Sequence, residues 1–109
     1  MIPAIKKDQG KPALDLFDPF AFEEVGHVLT FGAAKYGATN WRRGMHIGKV
    51  MAGVLRHCFA ILRGEYQDPE SGYQHAAHAI AGLTFVFTYV REGRTGLSDD
   101  RWENDANDS

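Results

Sequence analysis

Two apolar runs of helical length flank a short acidic segment, Glu65-x-x-Asp68-Pro69-Glu70-Ser71-Gly72, and this arrangement constrains the fold more than any other feature of the chain. Before it, Ile47, Met51, Val54, Leu55, Cys58, Ile61 and Leu62 recur at helical spacing, which predicts a helix from Ile47 to about Gly64. After it, His75, His78, Ala79, Gly82, Val86 and Tyr89 form one stripe and Ile80, Leu83, Phe87 and Val90 another, which predicts a helix from about Gly72 to Arg91. Asp, Pro, Ser and Gly between the runs suit a tight turn, with Ser71 placed to cap the following helix. The expected result is an antiparallel helical hairpin turning near Pro69. A helix that is apolar on more than one side belongs in the middle of a bundle or at a subunit interface.

An earlier helix is expected from Pro19 to about Tyr36. Asp18 can cap it, Pro19 suits its first turn, and Gly37 ends it. Along this helix Glu24, Val28, Phe31 and Lys35 share a stripe. Gly37 to Gly44 reads as a loop displaying Asn40, Trp41, Arg42 and Arg43, a set that can stack on a base and hold phosphate, or equally a packed Trp ringed by solvated arginines. No strand alternation or internal repeat is present, so the expected architecture is all-α. A chain of 109 residues makes one domain, residues 1-109, with an extended arm over 1-18 and a partly flexible tail over 94-109 from which Arg101-Trp102 could dock.

Composition narrows the function. The net charge of −2 and the lack of any Lys/Arg block argue against a duplex nucleic-acid binder, while leaving local cations for a small acidic ligand. Cys58 stands alone, which excludes an intrachain disulfide and fits a reducing cytoplasm. The run from Ile80 to Val90 is too short to span a bilayer, so no membrane role and a cytoplasmic location are expected. Gly-rich phosphate loops, serine nucleophile elbows and the H-E-x-x-H protease motif are missing.

The chemistry therefore rests on the hairpin. Folded about Pro69, it brings His57 to the level of His78, with Glu65, Asp68 and Glu70 around the mouth. Imidazole suits transition metals and carboxylate suits Mg²⁺ or Mn²⁺, so a mixed divalent-metal site in a hydrolase is the natural inference. Such an ion would activate a water, and a carboxylate or imidazole would take its proton. Two histidines three residues apart can also be core residues bonded to backbone, and a non-catalytic helical module with a histidine seam is the competing reading.

The strings Lys11-Pro-x-Leu-Asp15-Leu16, Glu24-Val-x-x-Val-Leu-Thr-Phe-Gly-Ala-x-Lys35-Tyr36-Gly37-x-x-Asn40-Trp41, Leu55-Arg56-His57, Arg63-Gly64-Glu65, Asp68-Pro-Glu-Ser-Gly72 and His75-x-x-His78-Ala79 resemble the phage and bacterial family of dATP/dGTP diphosphohydrolase N-terminal domains, which includes the MazZ-type enzymes. The resemblance covers residues 11 to 92. It implies an all-α, MazG-like helical bundle, related to MazG and HisE enzymes and completed as a homodimer or homotetramer. It further implies cleavage of a purine deoxynucleoside triphosphate, dGTP or dATP, to monophosphate and pyrophosphate with Mg²⁺ or Mn²⁺, in nucleotide-pool control or phage DNA modification. MazG-like enzymes hold metal with E-E-x-x-E and E-x-x-D. Here Arg56-His57-Cys58-Phe59-Ala60 and His75-x-x-His78 stand in those places, so either imidazoles and nearby acids rebuild the site or the chain binds nucleotides without the usual chemistry. On the first reading the metal falls to His57, Glu65, Asp68, Glu70, His75 and His78, and catalysis to His57, Asp68 and Glu70. Substrate contacts fall to Glu24, Lys35, Asn40, Trp41, Arg56 and Arg63.

Overall fold

A computed structural model describes residues 2–94, and the expectations for the tail, including Arg101-Trp102, lie outside the described residues. Among the described residues three α-helices follow one another, α1 (Pro19–Tyr36), α2 (Ile47–Leu62) and α3 (His75–Arg91), with short 3-10 turns at Leu14–Leu16 and Asn40–Arg43. The described residues include no extended strand; an isolated antiparallel bridge joins Gln67 to Gln74. The fold is all-α.

Each helix boundary has a local cause. Asp18 accepts a hydrogen bond from the Phe20 N–H at 3.0 Å and Pro19 occupies the first turn, so α1 starts where an otherwise unsatisfied donor finds a partner. At the far end of α2 the Glu65 N–H reaches the Ala60 carbonyl at 2.9 Å and the Gly64 N–H reaches Ile61 at 2.9 Å. That Schellman pattern requires the positive φ of Gly64, +89°, and it stops the helix at Leu62, two residues short of the sequence expectation. α3 ends in the same way, through Arg94 N–H to Tyr89 and Gly93 at φ +69°.

The start of α3 departs from expectation. Ser71 does not cap it; Gln74 is the N-cap residue, and its own N–H donates to Glu24 of α1 at 3.0 Å. The loop instead closes on itself, with Asp68 N–H bonded to the Tyr73 carbonyl and Gly72 N–H to the Asp68 carbonyl, both at 2.7 Å. Ser71 is thereby released to face the histidines.

α3 packs against both other helices, and its interface with α2 is the larger. Ala77 and Ala81 bury against Val28 of α1, with Val25 and Tyr73 alongside. Toward α2 the contact is closer: a Cβ placed on Gly82 would sit 2.7 Å from Val54 Cγ2. Tyr89 is fully buried, and its hydroxyl donates to the Trp41 carbonyl, which ties the loop after α1 to the far end of α3. This central placement explains why α3 is apolar on several sides. The stripe Ile80, Leu83, Phe87 and Val90 nevertheless stays substantially exposed, as do Leu55, Phe59 and Leu62 of α2. Cys58 is half-buried. Among the described residues no helix is long and apolar enough to cross a membrane.

Candidate functional site

The hairpin brings the three histidines into contact. His57 and His78 stack with ring centroids 4.7 Å apart and planes 12° from parallel, while His57 Nδ1 lies 2.8 Å from His75 Nδ1. Two neutral rings can share that short contact only if one nitrogen carries the proton and the other accepts it. On the opposite side His78 Nε2 lies 2.7 Å from the Ser71 hydroxyl, which donates to Asp68 Oδ2 at 2.9 Å. A carboxylate only accepts, so the serine proton is spent on Asp68 and His78 must donate from Nε2. Ser71 Oγ also accepts from the Tyr73 N–H, and Asp68 accepts from the Ser71 N–H, so this chain is fully satisfied.

These contacts set the charges. Burial pushes His57 below its ordinary value of 6.5, and the adjacent His78 and His75 add to the effect. Burial also lowers His78, against the opposing pull of Asp68. Burial would raise Asp68, yet the hydrogen bonds from Ser71 outweigh it and hold the carboxyl below its usual range. The 3.4 Å approach of His78 Nε2 to Asp68 is thus a neutral imidazole beside a carboxylate, bridged by Ser71, rather than a charged pair near neutral pH. His75 is 5% exposed; its Nε2 has no hydrogen-bond partner, although Glu65 Oε2 lies 3.5 Å away.

A groove of about 770 Å³ opens beside this cluster, between α1, the loop after it, α2 and α3. His57, His78, Asp68 and Glu70 line one end. Lys35 lies beside Glu70; Asn40, Trp41, Arg42 and Lys49 also line the groove, and Gly53, Val54, Ala81 and Gly82 are among its apolar walls. Lys35 is bonded to Glu70 at 2.6 Å, which raises the ammonium's pKa and ties α1 to the hairpin turn. Trp41 stacks on Phe85 at 4.7 Å with the Arg42 guanidinium 4.5 Å from its ring, so the Trp is packed, as one of the two sequence readings has it, while it also borders the groove.

Of the expected site residues, His57, Asp68, Glu70, His78, Lys35, Asn40 and Trp41 line the groove. His75 and Glu65 stand behind His57, Glu24 braces the start of α3, and Arg56 and Arg63 are exposed outside the groove lining. Sequence reasoning passed over Ser71 as a partner of His78, Lys49 as a wall cation and Phe85 as the shelf for Trp41. Ser71 and Lys49 left no signal, since each depends on which way its turn faces. Phe85 had a faint one, as an aromatic four residues before Tyr89 on α3.

The donor set does not fit a resident metal ion. Among the described residues no three His, Cys, Asp or Glu side chains converge as such a site requires. As they stand, His57 and His75 each engage Nδ1 with the other, His78 engages Nε2 with Ser71, and Glu70 engages Lys35.

Fold and groove together define an all-α protein with a cavity within the ordinary range for small-molecule ligands, carboxylates and imidazoles at one end and cations along it. The family model described as dATP/dGTP diphosphohydrolase, N-terminal, matches residues 2–101, and the chain belongs to that family. A protein of Salmonella phage PMBT28 named dATP/dGTP diphosphohydrolase is 43% identical over 98 residues, covering 90% of this chain and 33% of that relative. The chain thus spans about a third of the relative's length. No solved structure matches it.

Proposed function

We propose that this chain forms the substrate groove of a pyrophosphohydrolase acting on dATP or dGTP, in nucleotide-pool control or phage DNA modification in the cytoplasm. The name of the phage relative supports the reaction class and the purine substrate. The observation that carries the reading is one groove joining His57, His78, Asp68 and Glu70 to Lys35, Arg42 and Lys49 beside the Trp41 wall.

In this reading the triphosphate lies along the cations and the base end reaches Asn40 and Trp41. An incoming phosphate competes with Glu70 for the Lys35 ammonium, so substrate entry frees the carboxylate. Mg²⁺ or Mn²⁺ would arrive with the triphosphate, since Mg²⁺ characteristically binds one or two carboxylates plus substrate phosphates rather than a protein cage, and Asp68 and Glu70 would meet it. The ion would neutralise phosphate charge. His57, kept neutral near pH 7 by burial, accepts the proton of the water that attacks the α-phosphorus. The bond from that phosphorus to the bridging oxygen breaks, giving the monophosphate and pyrophosphate. A positioned base of this kind contributes roughly 10²- to 10⁴-fold.

Incubation of the protein with each nucleoside triphosphate and Mg²⁺ or Mn²⁺, with products resolved by anion-exchange chromatography, tests the proposal. Monophosphate and pyrophosphate from dATP or dGTP are expected. Orthophosphate released stepwise through a diphosphate, or no turnover of any nucleotide, would refute it. The near-complete burial of His75 favours the competing reading, a non-catalytic module with a histidine seam, and the same assay separates the two. We further propose a MazG-like assembly into a homodimer or homotetramer, supported by the exposed apolar stripes on α2 and α3. Light scattering at micromolar concentration should then exceed the monomer mass.

A further inference from the structure

The mutual contact of His57 and His75 admits two proton arrangements, and the surroundings of His75 distinguish them. In one, His57 Nδ1 donates to His75 Nδ1, so His75 carries its proton on Nε2 and His57 leaves Nε2 bare. In the other, His75 Nδ1 donates, His75 Nε2 is a bare lone pair and His57 holds its proton on Nε2. His75 Nε2 is out of reach of water, and Glu65 Oε2 is 3.5 Å from it. A bare lone pair there would face a carboxylate with no donor, whereas an N–H would face an acceptor. A slight rotation of the half-exposed Glu65 side chain would complete that bond. Leaving a buried polar atom unsatisfied is costly enough to populate one arrangement strongly.

The backbone holds Glu65 for this purpose. The Schellman turn at Gly64 bonds its N–H to Ala60, and the Tyr66 carbonyl accepts from the His75 N–H at 2.8 Å, so acid and imidazole are clamped from both sides of the turn. His57 lines the groove and His75 does not, and Nδ1 of His57 is taken up by His75, which leaves the Nε2 edge of His57 for the groove. We propose that Glu65 and His75 are positioning residues: they hold His57 in its Nδ1–H tautomer, so that the bare Nε2 of His57 is presented to the groove as a proton acceptor. The arrangement gives these side chains a role other than the metal ligation expected from the sequence. When His57 gains a proton at Nε2, its Nδ1 proton can pass to His75 Nδ1, and the resulting imidazolium sits against the Glu65 carboxylate. One proton enters the groove side and one positive charge moves to the carboxylate, with no bond left unbalanced.

The kinetic consequence rests on the pyrophosphohydrolase reading; the tautomer does not, and ring ¹⁵N NMR of the labelled protein near neutral pH reads it directly. The expected spectrum has His57 protonated at Nδ1 and bare at Nε2, and His75 the reverse. Glu65→Ala, a change at a half-exposed side chain, should mix the His57 tautomers and lower kcat roughly tenfold with KM little changed, below the full worth of a general base. His75→Phe should do the same, and His75→Asn, which keeps an acceptor near His57 Nδ1, should recover part of kcat. The opposite tautomer in the wild-type spectrum, or an unaltered His57 spectrum in a folded Glu65→Ala protein, would overturn the proposal. Absence of turnover in the wild type with the expected spectrum would sink the pyrophosphohydrolase reading alone.

Discussion

Gly82→Ala is the substitution whose effect follows most directly from the packing of the hairpin. A methyl group at this position would lie 2.7 Å from Val54 Cγ2 and 3.8 Å from Val50 Cγ1, and the first distance is shorter than real contacts allow. Val54 is buried and β-branched, so within a helix it has one favoured rotamer and cannot turn aside cheaply. The helices must separate or Val54 must leave its rotamer, an overpacking cost of about 1–3 kcal/mol. Replacing a mid-helix glycine by alanine returns about 1 kcal/mol of helix propensity. The net expectation is a loss of about 1 kcal/mol, and for a domain this small roughly 4–8 °C in Tm. Melting followed by circular dichroism at fixed protein concentration measures it. The cause is checked by adding Val54→Ala, which removes the clashing methyl: the two changes together should cost less than the sum of each alone. A melting temperature unchanged or raised in Gly82→Ala, or strict additivity in the pair, would refute the close-approach argument. Activity should fall with stability, because the spacing of α2 and α3 also sets the 2.8 Å contact of His57 with His75.

Folded His57 and His78 titrate below their ordinary 6.5, so the unfolded chain binds more protons just below that pH; stability should be level above about 6.5 and decline as pH falls through the folded values, which urea unfolding between pH 8 and 5 would contradict if its midpoint stayed constant. The depressed Asp68 adds a further loss below its ordinary 3.8. Lys35→Ala breaks a solvent-exposed, screened pair, so Tm should hardly move while KM for the triphosphate rises several-fold; an unchanged KM counts against phosphate contact at this lysine. His78→Ala removes the donor to Ser71 and should lower stability by about 1–2 kcal/mol without rescue by excess Mn²⁺, whereas Mn²⁺-dependent recovery of activity would restore the metal-ligand reading of this histidine.

The amino-acid sequence determined the helices, because their signals are local. Asp18-Pro19, the glycine at 37, and the apolar spacing of the two later runs each act within a turn or two of chain, and α1 and the start of α2 fall where those signals place them. It also determined that His57 and His78 meet, since an antiparallel hairpin turning near Pro69 fixes which levels of two helices face each other. What each imidazole does was a tertiary decision. His75 and His78 lie three residues apart on one helix, yet one is buried against His57 and Glu65 while the other bonds Ser71 and borders the groove. That split depends on how the loop between α2 and α3 closes, through Gly64, Gly72 and the backbone bonds around Asp68, none of which leaves a periodic trace. Lys49 and Phe85 joined the groove, and Arg56 and Arg63 fell outside it, for the same reason. A residue's type announces what chemistry it can perform; only the packing of α1 and α2 on α3 decides which nitrogen, oxygen or ammonium is left facing the cavity.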